Sequence, residues 1–193
     1  ECLHEDFQNT YIDFYKNDSD ILVVAFNPMP PSTNAKKIGW GFNYFHGLNL
    51  SIISVKAKIN DWYRGTDLID FFMSKDLQLI LDDYKMIVFT GVSMGGFGAL
   101  TFAAISPKCT IIVHCPQSTV NKEKIPWETR FGIAAHQNWT GAFHDGYEGA
   151  KNARAVYASY DPFLELDKLH VQRLSQHNLI NLKVPFVGHA IPE

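Results

Sequence analysis

Ser93 lies in "GVSMG", with Gly91 two residues before it and Gly95 two after, and Gly96 and Gly98 follow at once. The G-x-S-x-G spacing suits a nucleophile on a sharp strand-to-helix turn. There the serine backbone is strained, and a Cβ at either flanking glycine would clash. A serine hydroxyl is protonated at neutral pH, so it needs a base in contact and a carboxylate behind that base. The chain offers His189 in "KVPFVGHAIPE", past the last apolar run, and Asp161 in "VYASYDPFLELD", at the end of the run before it. Asp167 is the alternative acid if "PFLEL" folds back, though it also suits a helix cap, and Glu165 is a third choice. The chemistry of such a set is acyl transfer through a covalent acyl-serine.

The elements that must hold these residues are legible as nearly continuous apolar runs, the mark of strands covered on both faces. They span 21–26, 50–57, 86–91, 109–115, 155–160 and 182–188. Helical spacing across 66–84, with Thr66 as cap, predicts one crossover helix between the second and third runs. A second helix leaves the serine turn through "GALTFAAI" and must stop near Ser106, ahead of Pro107. A third is expected in "LDKLHVQRLSQH", capped by Asp167. The pattern predicts an α/β fold, a three-layer α/β/α sandwich with a mostly parallel sheet of about six strands, whose ligands bind at the strand carboxyl ends. We read residues 1–193 as a single domain, with the aperiodic stretch 117–152 as a lid or substrate loop.

The apolar strand "MIVFTG" enters the serine turn, a helix leaves it, and Ser, Asp and His follow in that order. On these features the chain resembles the α/β-hydrolase fold family, and "GVSMGGFGAL" is closely similar to the elbows of its esterase-type members. The resemblance runs from about Ile21 to His189 and implies a member lacking the first strands. It implies Ser93 as nucleophile, His189 as general base and acid, and Asp161 as orienting carboxylate, with Asp167 the alternative. The oxyanion hole would use the backbone N–H of Met94 and one from "FNPMPP", where Asn27 or Met29 could donate and Pro28 cannot. The family's glycine-rich loop is missing at that point. The implied activity is that of a serine hydrolase on a carboxylic ester, an esterase or, where an alcohol replaces water, an acyltransferase. The missing glycine-rich loop, the open choice of acid and the missing first strands make the rival expectation a catalytically impaired binding or accessory protein, for example in bacterial surface-glycan modification, whose hydrolase-like proteins "WYR" and "PWETRF" resemble.

Trp62, Trp127 and Arg130 are the candidate substrate contacts; Phe131, His136, Trp139 and His144 lie in the same aromatic stretch as Trp127 and Arg130. His136, His144 and Asp145 fit no metal-binding spacing, and no cofactor or metal is expected. His46, His114, His170 and His177 read as packing or surface residues. A net charge of −3, with Lys36 and Lys37 the densest basic pair, argues against nucleic acid. No apolar run approaches the length of a membrane span. Cys2, Cys109 and Cys115 form no disulfide pattern and suit a reducing, cytoplasmic setting. The expected partner is a small-molecule or glycan-linked ester; the oligomeric state is left open.

Overall fold

The computed structural model describes residues 2–30, 38–175 and 178–189; Lys36, Lys37 and His177 lie outside them. Its strands are β1 (Cys2–Asp6), β2 (Thr10–Tyr15), β3 (Ile21–Phe26), β4 (Ser51–Ala57), β5 (Met86–Val92), β6 (Thr110–His114), β7 (Ala155–Tyr160) and β8 (Leu179–Lys183). They form one sheet in the order β1-β2-β4-β3-β5-β6-β7-β8. β1 pairs antiparallel with β2 and β2 with β4, while every other pairing is parallel.

The sheet therefore has two strands more than the apolar runs predict, and the first strands are present. β1 and β2 mix charged and apolar residues, as "CLHED" and "TYIDFY" show. Strands of an antiparallel edge need not be apolar on both faces. The last strand also starts and ends earlier than expected, because Pro185 has no N–H for a ladder and the chain turns there.

The inner face of the sheet is Leu22, Val24 and Phe26 on β3, Ile53 and Val55 on β4, Phe89 on β5, Ile111 and Val113 on β6, and Val156 and Ala158 on β7, all buried. Against it pack α2 (Thr66–Phe72), α3 (Lys75–Asp82), α4 (Met94–Phe102), α5 (Gly146–Ala150) and α6 (Glu165–Arg173). Every residue of α4 is buried, so its apolar surface runs all the way round. The single crossover helix expected over 66–84 is two helices. Ser74 interrupts it, and its side chain accepts the Leu77 N–H as the cap of α3. Thr66 is the first helical residue and not the cap. The opposite face carries α1 (Phe42–Gly47), whose Phe42 ring meets Tyr15 at 4.5 Å. Among the described residues no helix is long and apolar enough to cross a membrane.

The stretch 117–152 is tied to the body along its length. Gln117 to Asn121 are buried. Arg64 donates to the carbonyls of Asn138, Thr140, Ala142 and Phe143. Asp145 pairs with Arg173 and Lys124, and Gly149 lets α5 lie against α4. A Cβ on Gly149 would stand 2.3 Å from the Leu100 carbonyl oxygen, whereas one on Gly132 meets nothing within 4 Å. Gly149→Ala should therefore cost about 2 kcal/mol or more in chemical denaturation, and Gly132→Ala should fall within about 0.5 kcal/mol of the parent.

Candidate active site

The turn at Ser93 joins β5 to α4 in a single residue. Ser93 adopts φ 52° and ψ −117°, outside the regions open to an unstrained L-residue. The flanking glycines permit it by backbone-to-backbone contact. A Cβ on Gly91 would lie 2.3 Å from the Gly95 carbonyl oxygen, and one on Gly95 would lie 2.3 Å from that of Phe26. The Ser93 N–H donates to the His114 carbonyl at 3.0 Å, which locks the turn to β6.

His189 reaches this serine across 96 residues of chain, its Nε2 2.9 Å from the Ser93 Oγ. Its Nδ1 is 2.7 Å from the Asp167 Oδ2. The carboxylate against the histidine is thus Asp167 and not Asp161. Asp161 follows β7 and accepts the Phe163 and Gly188 N–H groups at 3.0 and 2.9 Å, which hold its carboxyl below the ordinary range. It anchors the backbone next to His189 without touching the ring. Asp167 lies in the first turn of α6, whose cap position is Leu164, so it is free to point into the site. Glu165 pairs with Lys168 at the surface.

Behind Asp167 runs a chain of paired charges. Arg130 donates from one terminal nitrogen to the Asp167 Oδ1 at 2.6 Å, and from Nε and the other terminal nitrogen to Glu128. Glu128 is fully buried and meets the His170 Nε2 at 2.8 Å. The Ser118 backbone N–H, which can only donate, lies 3.1 Å from the His170 Nδ1. His170 is therefore neutral, with its proton on Nε2 and directed to Glu128. Burial would raise Asp167, but the bonds from His189 and Arg130 outweigh it and hold the carboxyl low. Glu128 follows the same balance, with burial overcome by His170 and Arg130. Burial dominates for His170 and pulls it down.

Two of the expected substrate contacts are used internally, and the third is partly so. Trp62 is fully buried, edge-on to Phe97 and Phe131 at 5.8 and 4.9 Å, and its Nε1 finds no hydrogen-bond partner among the described residues. A large ring in the turn between β4 and α2 gains more from core contact than from lining an open site. Arg130 spends its fork on Glu128 and Asp167, with 28% of the side chain exposed. Trp127 sits edge-on to His170 at 4.8 Å and is half-buried. Asp145, weighed for a metal, is held by Arg173 and Lys124.

The Met94 amide opens α4 and has no partner within the helix. The Asn27 backbone N–H, the expected second donor, instead extends the β3–β4 ladder to the Val55 carbonyl at 3.0 Å. Gln117 went unnoticed in the sequence. It is fully buried, gives its amide N–H to the Cys115 carbonyl, and presents Oε1 3.3 Å from the Ser93 Oγ. Glu128 was also missed and His170 read as packing or surface; the spacing of Asp167 and His170, i and i+3 on one helix face, was the available signal.

No family model matches the chain, and no curated protein is similar to it in sequence. Solved structures are similar in fold. The capsule O-acetyltransferase of Neisseria meningitidis serogroup A superposes with a TM-score of 0.67 at 12% identity, over 95% of this chain and 86% of that one. The fold is that of the α/β hydrolases. An S-formylglutathione hydrolase from Agrobacterium tumefaciens matches with a TM-score of 0.60 at 14% identity, covering 98% of this chain and 87% of that one. The glycosylation-associated Gap123 complex of Streptococcus agalactiae matches at 0.59 and 15% identity, over 98% of this chain and 42% of that one.

The paired charges carry a pH dependence of one sign. His170 has a folded value below its unfolded value of about 6.5, so its contribution is full above that pH and is lost as the pH falls through it. His114, also lowered by burial, acts in the same direction. Asp167 and Glu128 contribute fully above about pH 4 and lose this as the pH drops toward their folded values. The urea midpoint should be level from pH 8 to 7, decline below about 6.5 and decline again below about 4. His170→Asn should make the first decline shallower, leaving the part due to His114; a wild-type midpoint that does not change from pH 7 to 5 would rule out a neutral buried His170.

Proposed function

We propose that this chain is a serine-dependent acyl-ester enzyme that works through an acyl-Ser93 intermediate. The observation that carries this reading is the unbroken line from the strained Ser93 hydroxyl to His189 and on to a buried, ionised Asp167. The Ser93 Oγ attacks the ester carbonyl carbon while its proton passes to the His189 Nε2. Asp167, accepting the Nδ1 proton in a hydrogen bond, holds the ring in the required tautomer and stabilises its positive charge. The Met94 amide and the start of α4 face the charge that develops on the carbonyl oxygen. His189 then returns the proton to the departing alkoxide, and the acyl group remains on Ser93.

In the second half the incoming hydroxyl compound gives its proton to His189 and attacks the acyl carbon; the proton returns to Ser93 as the Oγ–C bond breaks. With water the product is a carboxylic acid, and the enzyme is an esterase. With an alcohol the product is a new ester, and the enzyme is an O-acyltransferase. The fold likeness to both a capsule O-acetyltransferase and an S-formylglutathione hydrolase supports acyl chemistry of this general kind. A small or glycan-linked ester is the proposed substrate. An accessory protein without catalysis would not need a nucleophile and base in contact, which is why the catalytic reading is preferred.

A fluorophosphonate serine probe should label the wild type and fail on Ser93→Ala and His189→Ala. Asp167→Asn should slow labelling and ester turnover by roughly 10³- to 10⁴-fold, the scale of a lost orienting carboxylate. Asp161→Asn should cost far less. Labelling that survives Ser93→Ala, or an Asp161→Asn loss as deep as that of Asp167→Asn, would overturn the assignment.

A further inference from the structure

The ion pair behind Asp167 is not needed to orient His189, since Asp167 already binds that ring through one oxygen. We infer that Arg130 and Glu128 are positioning residues that act through Asp167 and set how the reactivity of Ser93 depends on pH. This rests on the acyl-enzyme reading of the site.

Asp167 divides its two oxygens between opposing demands. Oδ2 faces the His189 Nδ1 at 2.7 Å, and Oδ1 receives Arg130 at 2.6 Å. A full guanidinium charge on Oδ1 disfavours a second positive charge on the imidazole. Glu128 offsets this, because both of its oxygens engage the same guanidinium and its buried carboxylate cancels much of the field. His170 completes the device: locked as the neutral Nε2–H tautomer by the Ser118 N–H, it hydrogen-bonds Glu128 without adding charge. The Trp127 ring packs on its edge. With Glu128 and Asp167 fully buried and Arg130 only 28% exposed, solvent screens the trio weakly.

The other groups around His189 leave this balance in control. Ser93 faces Nε2 from the elbow. Cys115, following β6, has its sulfur within 4.8 Å of the His189 and Asp167 ligand atoms, but burial and Asp167 push its thiol up to about 11, so it stays neutral near pH 7. Asp161, after β7, is fixed to the Gly188 N–H and is present unchanged in every variant below.

The test is the pH dependence of the fluorophosphonate labelling rate for wild type, Arg130→Met, Arg130→Lys and Glu128→Gln, with circular dichroism of each. Loss of the Arg130 charge should move the acidic limb to higher pH, and loss of the Glu128 charge should move it to lower pH, each by roughly half a unit. Arg130→Lys keeps the charge without the fork and should leave the limb near its wild-type position. The double variant Glu128→Gln with Arg130→Met removes both charges and should do the same, which provides a folded comparison if either single variant fails to fold. A shift in the same direction for both single variants, no shift in a folded single variant, or a shift in the folded double variant, would overturn the inference while leaving the proposed function standing. A wild type that does not label, or a Ser93→Ala that labels equally, would instead sink the function itself.

Discussion

The chain reversal at Ser93 is the constraint around which the site is arranged. A strand and a helix meet there in one residue at φ 52°, a conformation costing about 1–3 kcal/mol that persists only because the surroundings impose it. On one side is the sheet, which takes the Ser93 N–H onto β6. On the other is α4, buried along its whole length and drawn down onto Phe26 and Tyr63 by the absence of a side chain at Gly98. The area that α4 buries offsets the strain at Ser93, the residue that caps it. The same packing leaves the Ser93 hydroxyl and the first helical amides on one side of the turn, so a demand of packing yields a geometry suited to acyl transfer.

A second constraint is the cost of burying charge. Asp167 and Glu128 are both fully buried, which is tolerable only when each is ionically paired and hydrogen-bonded. Arg130 serves both, and His170 and His189 close the two ends of the row. This explains why the stretch 117–152, whose lack of periodicity suggests a lid, is bound so closely to the body. Its Arg130 provides the counter-charge for the acid of the proposed site, and Arg64 and Asp145 hold its farther part in place.

By itself the sequence determined the features that arise between neighbours along the chain. Gly91 meets the backbone of Gly95 only four residues on, the parallel strands show as apolar runs, and the position of His189 follows from the end of the last run. These were legible because local geometry and two-sided burial leave a periodic or compositional mark. Tertiary structure alone decided which carboxylate meets His189: Asp161 and Asp167 are six residues apart, and the choice depends on how the chain turns between β7 and α6. It also moved Trp62 into the core, gave the Asn27 amide to β4, turned Arg130 toward Asp167 and added the first two strands at the sheet edge. Each of these depends on a partner distant in sequence, and residue type at one position does not specify which distant group will be in reach.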